Sequence, residues 1–326
     1  MNELEDFARA RLNIDGIQYL PINYKNNDFS ELAIIKGEKP YKGDLIIPDV
    51  IEGTRGTYIV TAIYERAFEH CEDLNSVILP KELQFIGKRA FYKCPNLKTV
   101  VINSKLKEIQ NEAFMDCVQL SDIVTPQAAD GGIEKLGKDV LTGTAFWNEQ
   151  ADGIIYFYHA LVGYKGHKPR KIEIKEGTTC IGDFALFEIG YLKELVFPNS
   201  LRTIGAMSCN RNHIKKLIIP EGVKDIGYFA FDRCHDLEFL SLPSTLTSLN
   251  VASFFDCLFL QYIIIHAAVP PEVIDDIGVD GVITGEKLYK APYKIRCLYV
   301  PTGSKEAYEK AQYWKYFKKI LETDEV

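Results

Sequence analysis

The feature that most constrains this chain is a repeat of fixed length. Ala90-Phe91 is followed by Ala113-Phe114, Cys94 by Cys117 and Leu97 by Leu120, each step being 23 residues. Aligned on the Ala-Phe step, the chain reads as coils of the form I-G-x-x-A-F-x-x-C-x-x-L-x-x-I-x-I-P. Copies start at Ile63, Ile86, Ile109, Ile181, Ile204, Ile226 and Leu249. A degenerate copy starts at Leu136-Gly137, with Val140-Leu141 in the Ala-Phe place, and a partial leading copy ends at Leu45 to Pro48. The L-x-x-I-x-I segment alternates with period two, as a short strand with one buried face does. Proline after it has no N–H to donate and stops the strand. Ala is expected where one turn passes close to the next, and Phe where the interior is filled away from the strand. Gly after the Ile is expected at a turn with φ > 0, although Tyr64 and Gln110 break that pattern. One such coil cannot bury its own apolar face, whereas a stack can. The expected fold class is therefore a β-rich repeat solenoid.

Composition narrows the partners. With 326 residues, 47% of them hydrophobic, a large interior is within reach. A formal charge of −7 makes nucleic acid a poor partner, and the most basic run, Lys165 to Lys175, is broken by Gly, Pro and acidic residues. No apolar run approaches the roughly 18 residues that span a bilayer. The opening "MNELEDFARARL" lacks an apolar signal core; Leu4, Phe7, Ala8 and Arg11 suggest a short amphipathic helix instead. A cytoplasmic protein and a trimmed mature form both fit that start.

The repeat resembles the BspA-like, or Treponema-type, leucine-rich repeats of bacterial surface proteins. "GDLIIPDVIEGTRGTYIVTAIYERAF" is similar to the first coil of such proteins, "GTAFWNEQADGIIYFYHALVGYKG" to their aromatic hairpin insertion, and "LYVPTGSKEAYEKAQYWKYFKKI" to their closing strand and helix. The resemblance covers residues 13 to 321. It implies a leucine-rich-repeat right-handed superhelix with short parallel strands, capped at both ends. The expected parts are a helix and hairpin cap over 1–44, a solenoid over 45–265 with a hairpin inserted around 143–170, and a C-terminal cap with a terminal helix over 266–326. All are expected in one structural domain. "DGIQY" (15–19) and "LAIIKG" (32–37) should pair as a hairpin, and "DGIIY" (152–156) echoes the first of them. In the closing helix, from about Ser304, Ala307, Ala311, Trp314, Phe317 and Leu321 fall at helical spacing. The resemblance also implies a role in adhesion at the cell surface or outside the cell, on a host-associated bacterium, with another surface protein or a host matrix component as partner. A scaffolding role inside the cell is the alternative.

Chemical sites are not indicated. Five of the eight cysteines (Cys71, Cys94, Cys117, Cys234, Cys257) occupy one repeat position. None has the C-x₂₋₄-C spacing of a zinc site. Stacked Cα atoms about 5 Å apart would permit a bridge, but side chains in a stacked row point the same way, so free buried thiols are expected. Cys180, Cys209 and Cys297 fall outside the row. His70-Cys71 and Cys234-His235 join a thiol to a base, yet adjacent residues on a turn point apart. No hydrolase, nucleotide or metal motif occurs. The chain is expected not to be an enzyme and to need no cofactor or metal.

The strand face is more informative. If Val77 and Leu79 point inward, the residues between them point out. That outward row holds Ile46, Ile78, Val101, Val124, Glu173, Val196, Ile218, Ser241 and Ile264, beside a second row of Ser76, Thr99, Asp122, Glu194, Lys216, Phe239 and Tyr262. Val and Ile suit any sheet surface, but a long apolar stripe also suits a docked partner. Aromatic residues dominate binding hot spots, so Ile218, Phe239, Ser241, Tyr262 and Ile264 are the expected partner-binding residues. Trp147, Tyr156, Phe157 and Tyr158 in the inserted hairpin are expected to anchor it by local packing.

Overall fold

Each coil builds two strands where the sequence pattern marks one. The L-x-x-I-x-I segment supplies strands such as Leu74–Ile78, Thr99–Val101 and Asp122–Val124. Residues ending at the repeat Ile supply a second, two-residue strand: Phe85–Ile86, Glu108–Ile109 and Lys135–Leu136. Both kinds pair in parallel with their equivalents one coil on, Ile86 with Ile109 and Val100 with Ile123. The expected alternation holds, since Val77 and Val100 are buried while Ile78 and Val101 are half-buried. The chain is a β-solenoid.

The computed structural model describes residues 11–22, 30–53, 56–102, 106–125, 132–250, 252–274 and 297–323. The helix expected over Leu4, Phe7 and Ala8 lies outside them. Two compact units emerge, Met1–Ala151 and Asp152–Val326, and they open alike. In the first, Ile17–Ile22 pairs antiparallel with Glu31–Ile34, which pairs in parallel with Gly56–Ile63. In the second, Gly153–Phe157 pairs antiparallel with Ala160–Lys165, and Ala160 and Leu161 pair in parallel with Cys180 and Ile181. The hairpin expected as an insertion thus begins the second unit. Trp147 is not on it; it lies on a preceding helix, Ala145–Glu149, where its N–H donates to the capping Thr144 hydroxyl at 3.0 Å.

The closing helix is shorter than its apolar spacing suggests. It spans Lys305–Lys310, a 3₁₀ turn follows at Trp314–Tyr316, and Ile320–Thr323 is a strand. Leu321 is therefore a strand residue. Tyr308, not Ala307, is the buried anchor; its hydroxyl donates to the Ala267 carbonyl at 2.7 Å, and Trp314 Nε1 donates to Pro271 at 3.0 Å. These bonds pull the chain out of helical register. The last strand then pairs with Cys297–Pro301 and satisfies that edge.

The expected role of the repeat glycine needs correction. Gly87, Gly137, Gly205 and Gly227 do not have positive φ. They are small because the neighbouring coil is close: a Cβ on Gly87 would lie 2.6 Å from the Glu65 nitrogen, and one on Gly227 2.7 Å from the Ala206 nitrogen. The left-handed positions come two and six residues later and carry ordinary side chains: Arg89 (φ 55°) and Lys93 (φ 55°), Glu112 (φ 60°) and Asp116 (φ 61°), Phe229 (φ 53°) and Arg233 (φ 55°). Such residues cost about 1–2 kcal/mol each. Most of their N–H groups reach the next coil, as Arg89 does to Asn111 (3.0 Å) and Lys93 to Met115 (3.0 Å). Between them the Ala90 and Tyr92 N–H groups close tight turns within the coil, onto Gly87 and Arg89, while Phe91 N–H leaves for Ala113 at 2.7 Å. The strain is the geometry that lets alternate amides leave the coil.

The interior repeats at the strand spacing of about 4.8 Å. In the first unit the rings of Tyr41, Phe68, Phe91 and Phe114 lie 4.7, 4.7 and 5.0 Å apart, and in the second Phe231 and Phe254 lie 5.3 Å apart. All eight cysteines are free and buried, as expected. The repeat cysteine is more than an apolar filler. Cys94 Sγ donates to the Phe68 carbonyl at 3.0 Å, Cys117 to Phe91 at 2.9 Å and Cys257 to Phe231 at 3.2 Å. Where Asn212 takes the same position, its Nδ2 donates to the equivalent Leu186 carbonyl at 3.0 Å. In these coils the position supplies a compact donor to a buried carbonyl, whereas Ile189 in the coil from Ile181 has none.

Gly87→Ala should lower unfolding stability by about 2 kcal/mol through backbone overlap, whereas Gly177→Ala, at positive φ with no atom within 4 Å, should lose about 1 kcal/mol; urea titration of both variants checks the order. Burial pushes the Cys71 and Cys234 thiols up to about 12 from 9.0. The folded state thus keeps protons that the unfolded state releases. Their contribution is full below pH 9 and fades as pH climbs toward 12, by on the order of 1 kcal/mol per thiol near about pH 10. Urea midpoints against pH should show this fall, and Cys71→Ala with Cys234→Ala should flatten it. Because the second unit has its own opening hairpin, residues 152–326 expressed alone should unfold cooperatively by circular dichroism.

Candidate binding surface

The strand faces arise from the same alternation that fills the core. In the first unit Ile46, Ile78, Val101 and Val124 stand in register across four strands, Gly43–Ile46 to Asp122–Val124. Ile46 is 69% exposed and Val124 45%, with Ile78 and Val101 half-buried between them. Beside them runs a polar row of Asp44, Ser76, Thr99 and Asp122, in which the Ser76 hydroxyl donates to Asp44 at 2.7 Å.

In the second unit Lys171–Glu173 and Glu194–Val196 form a two-stranded ladder held also by a 2.9 Å ion pair, Lys171 to Glu194. A separate five-stranded sheet follows, from Lys216–Ile218 to Ile320–Thr323. It brings all five residues singled out in the sequence onto adjacent rows. One row is Ile218, Ser241, Ile264, Tyr299 and Leu321; the other is Lys216, Phe239, Tyr262 and Cys297. Ile218 is 55% exposed, and Phe239, Tyr262 and Ile264 are half-buried. Ser241 is in the row but buried, and its hydroxyl sits 3.0 Å from His266 Nε2. Lys216 Nζ lies 5.0 Å from the centre of the Phe239 ring, which adds a cation–π contact at the row's edge.

Tyr299, Leu321 and His266 were not legible as face residues. Ile264 and Tyr299 pair although they are 35 positions apart (299 − 264), so alignment at the 23-residue step stops before the sheet does. His266 occupies the position that is proline at Pro80, Pro126, Pro198, Pro220 and Pro243.

The chemical candidates do not assemble. Cys71 and Cys234 are buried protonated thiols, and Cys234 Sγ donates to the Cys209 carbonyl at 3.4 Å. His235 Nδ1 is engaged 3.1 Å from the Asp256 carbonyl. Among the described residues no group of three or more His, Cys, Asp or Glu side chains is placed to hold a metal. No described helix is long and apolar enough to cross a membrane.

The pattern of the BspA type leucine rich repeat region matches this chain in six copies over residues 56–146 and 163–271. No curated protein matches it. Among solved structures, a leucine-rich repeat protein from Bacteroides ovatus ATCC 8483 is 18% identical, with 97% of this chain and 77% of that one covered and a TM-score of 0.39. The pneumococcal vaccine antigen PcpA is also 18% identical, over 97% and 99% of the two chains, with a TM-score of 0.39. A leucine-rich repeat protein of T. pallidum is 21% identical, over 78% and 81%, at 0.32. Likeness at that level carries no argument about ligand or role. The repeat match spans well over half of the residues, and the chain belongs to the BspA-type leucine-rich repeat family.

Proposed function

We propose that this protein is a non-enzymatic binding module that docks another protein on the strand face of its second unit, and that it does so at the cell surface or outside the cell. One observation carries the reading. Phe239 and Tyr262 stand side by side on a five-stranded sheet, flanked by Ile218, Ile264 and Tyr299. An isolated aromatic on a sheet needs no partner. Two in register, bordered by aliphatic side chains and one lysine, make an anchor that hides apolar area only when covered. Repeat solenoids commonly use such repeated faces for extended protein contacts. The surface location and the matrix-type partner rest on family membership.

Scaffolding inside the cell is the second reading. Its support is the eight free thiols, which a reducing compartment preserves, although burial protects them elsewhere too.

The docking site is tested by immobilising the protein against a panel of extracellular-matrix proteins and of outer-surface proteins from the same cell. Phe239→Ala with Tyr262→Ala should weaken capture by on the order of tenfold or more while the urea midpoint stays near that of the parent. Equal capture by parent and double variant would remove this face from the site. Antibody labelling of intact cells separates the two locations.

A further inference from the structure

Part of the strand side of the second unit is basic, although the chain as a whole is acidic. Lys193 and Lys215 each follow the repeat Leu or Ile (Leu192, Ile214), and Arg170 holds that place one coil earlier. The Arg170 carbonyl accepts the Lys193 and Glu194 N–H groups at 2.8 and 3.1 Å, as the Lys215 carbonyl accepts those of Glu238 and Phe239 at 2.9 and 3.4 Å. The three side chains are therefore successive along the stack, at the strand spacing of about 4.8 Å. Lys171 and Lys216 stand in the next row, and all five are exposed. Ile172, Leu195, Leu217, Leu240 and Ile263 beneath them belong to one core cluster, so the basic stretch runs on into the face of Phe239 and Tyr262.

Carboxylates do not balance these cations. Glu173 and Glu194 lie on the same strands and Glu238 precedes the next, so five positive charges meet three negative ones. Lys171 pairs with Glu194 at 2.9 Å and Lys215 with Glu238 at 3.9 Å. Asp236, on the turn before Glu238, is met by His213 at 3.1 Å. Among the described residues Arg170 and Lys193 have no ion pair, and Lys216 faces the Phe239 ring at 5.0 Å. Like charges on neighbouring strands oppose their pairing. The coil does not require them, since the first unit carries Asn75, Lys98 and Ser121 at these places.

On the docking reading above, we propose that the partner presents a polypeptide segment with carboxylates at one end, over Arg170, Lys193 and Lys215, and apolar side chains at the other, over Phe239 and Tyr262. Four strand steps separate Lys171 from Tyr262, about 19 Å, which an extended stretch of about six residues spans. Ile218 and Ile264 beside the aromatic pair favour apolar side chains over the hydroxyl-covered rings of a sulfated polysaccharide.

The full-length protein is tested by panning it against a displayed library of short random peptides. Enriched sequences should join Asp or Glu to aromatic or aliphatic residues within about six positions. Arg170→Gln with Lys193→Gln and Lys215→Gln should capture a synthetic peptide of the enriched sequence on the order of tenfold more slowly at low salt, with dissociation little changed. Salt at about 1 M, where the screening length is about 3 Å, should close that gap. Phe239→Ala with Tyr262→Ala should instead speed dissociation, and the urea midpoints of both variants should stay near that of the parent. Enriched sequences without an acidic excess, or no enrichment, would overturn the proposal. So would binding that the triple variant leaves unchanged; if the double variant still weakened it, the docking reading would stand without the acidic segment. A peptide weakened by the triple variant and untouched by the double one would overturn the docking reading instead. Retention on a sulfated-polysaccharide column with no peptide enriched would overturn the proposal in favour of a glycan.

Discussion

Backbone hydrogen bonding between coils is the constraint on which the rest depends. A coil of about 23 residues has too few residues to pair its own amides, so it must send them to a neighbour. The strands do so in the usual parallel way. The turn does so by an alternation in which one N–H closes a tight turn and the next leaves for the following coil, as Ala90 and Phe91 do. That alternation requires left-handed backbone twice per coil, and the chain accepts it at Arg, Lys, Glu, Asp and Phe. Glycine is spent elsewhere, at the closest backbone approach.

The same spacing organises the interior. Phenylalanine rings repeat at 4.7 to 5.0 Å because the backbone beneath them does. The Phe68 and Phe231 carbonyls, which already accept the Cys71 and Cys234 N–H within their own turns, take a second donor from Cys94 and Cys257 of the next coil, and the Leu186 carbonyl takes one from Asn212. Burial holds several of these thiols protonated, which ties their hydrogen-bonding role to their lack of nucleophilic character. Structure and reactivity at that position have one cause.

Departures from the pattern are where function is to be sought. The coil from Ile204 exchanges Phe for Cys209, Cys for Asn212 and an aromatic for Asn210, and the next carries Asp232 at the equivalent place. The hydrogen bond lost by one exchange is recovered by Asn212, and Asn210 donates to Asp232. On the strand side, Phe239 and Tyr262 replace the Ser and Thr of earlier coils. Both departures lie in the second unit.

Much of the fold was legible in the residues themselves. The period located the coils, the buried Ala-Phe and Leu positions, the parallel strands and the cross-strand neighbours of the face. All of these follow from chemistry that recurs at one distance. Features that depend on what lies one coil away were not legible: the second strand, the true reason for the glycine, the cysteine's donor role and the polar pair. Nor was the break in the closing helix, where Ala307 to Leu321 keeps helical spacing while Tyr308 and Trp314 find carbonyls near Ala267 and Pro271. A sequence states which residues recur. Only the stacked structure decides which atoms meet, because those contacts join residues 20 or more positions apart and are set by backbone closeness that no local pattern encodes.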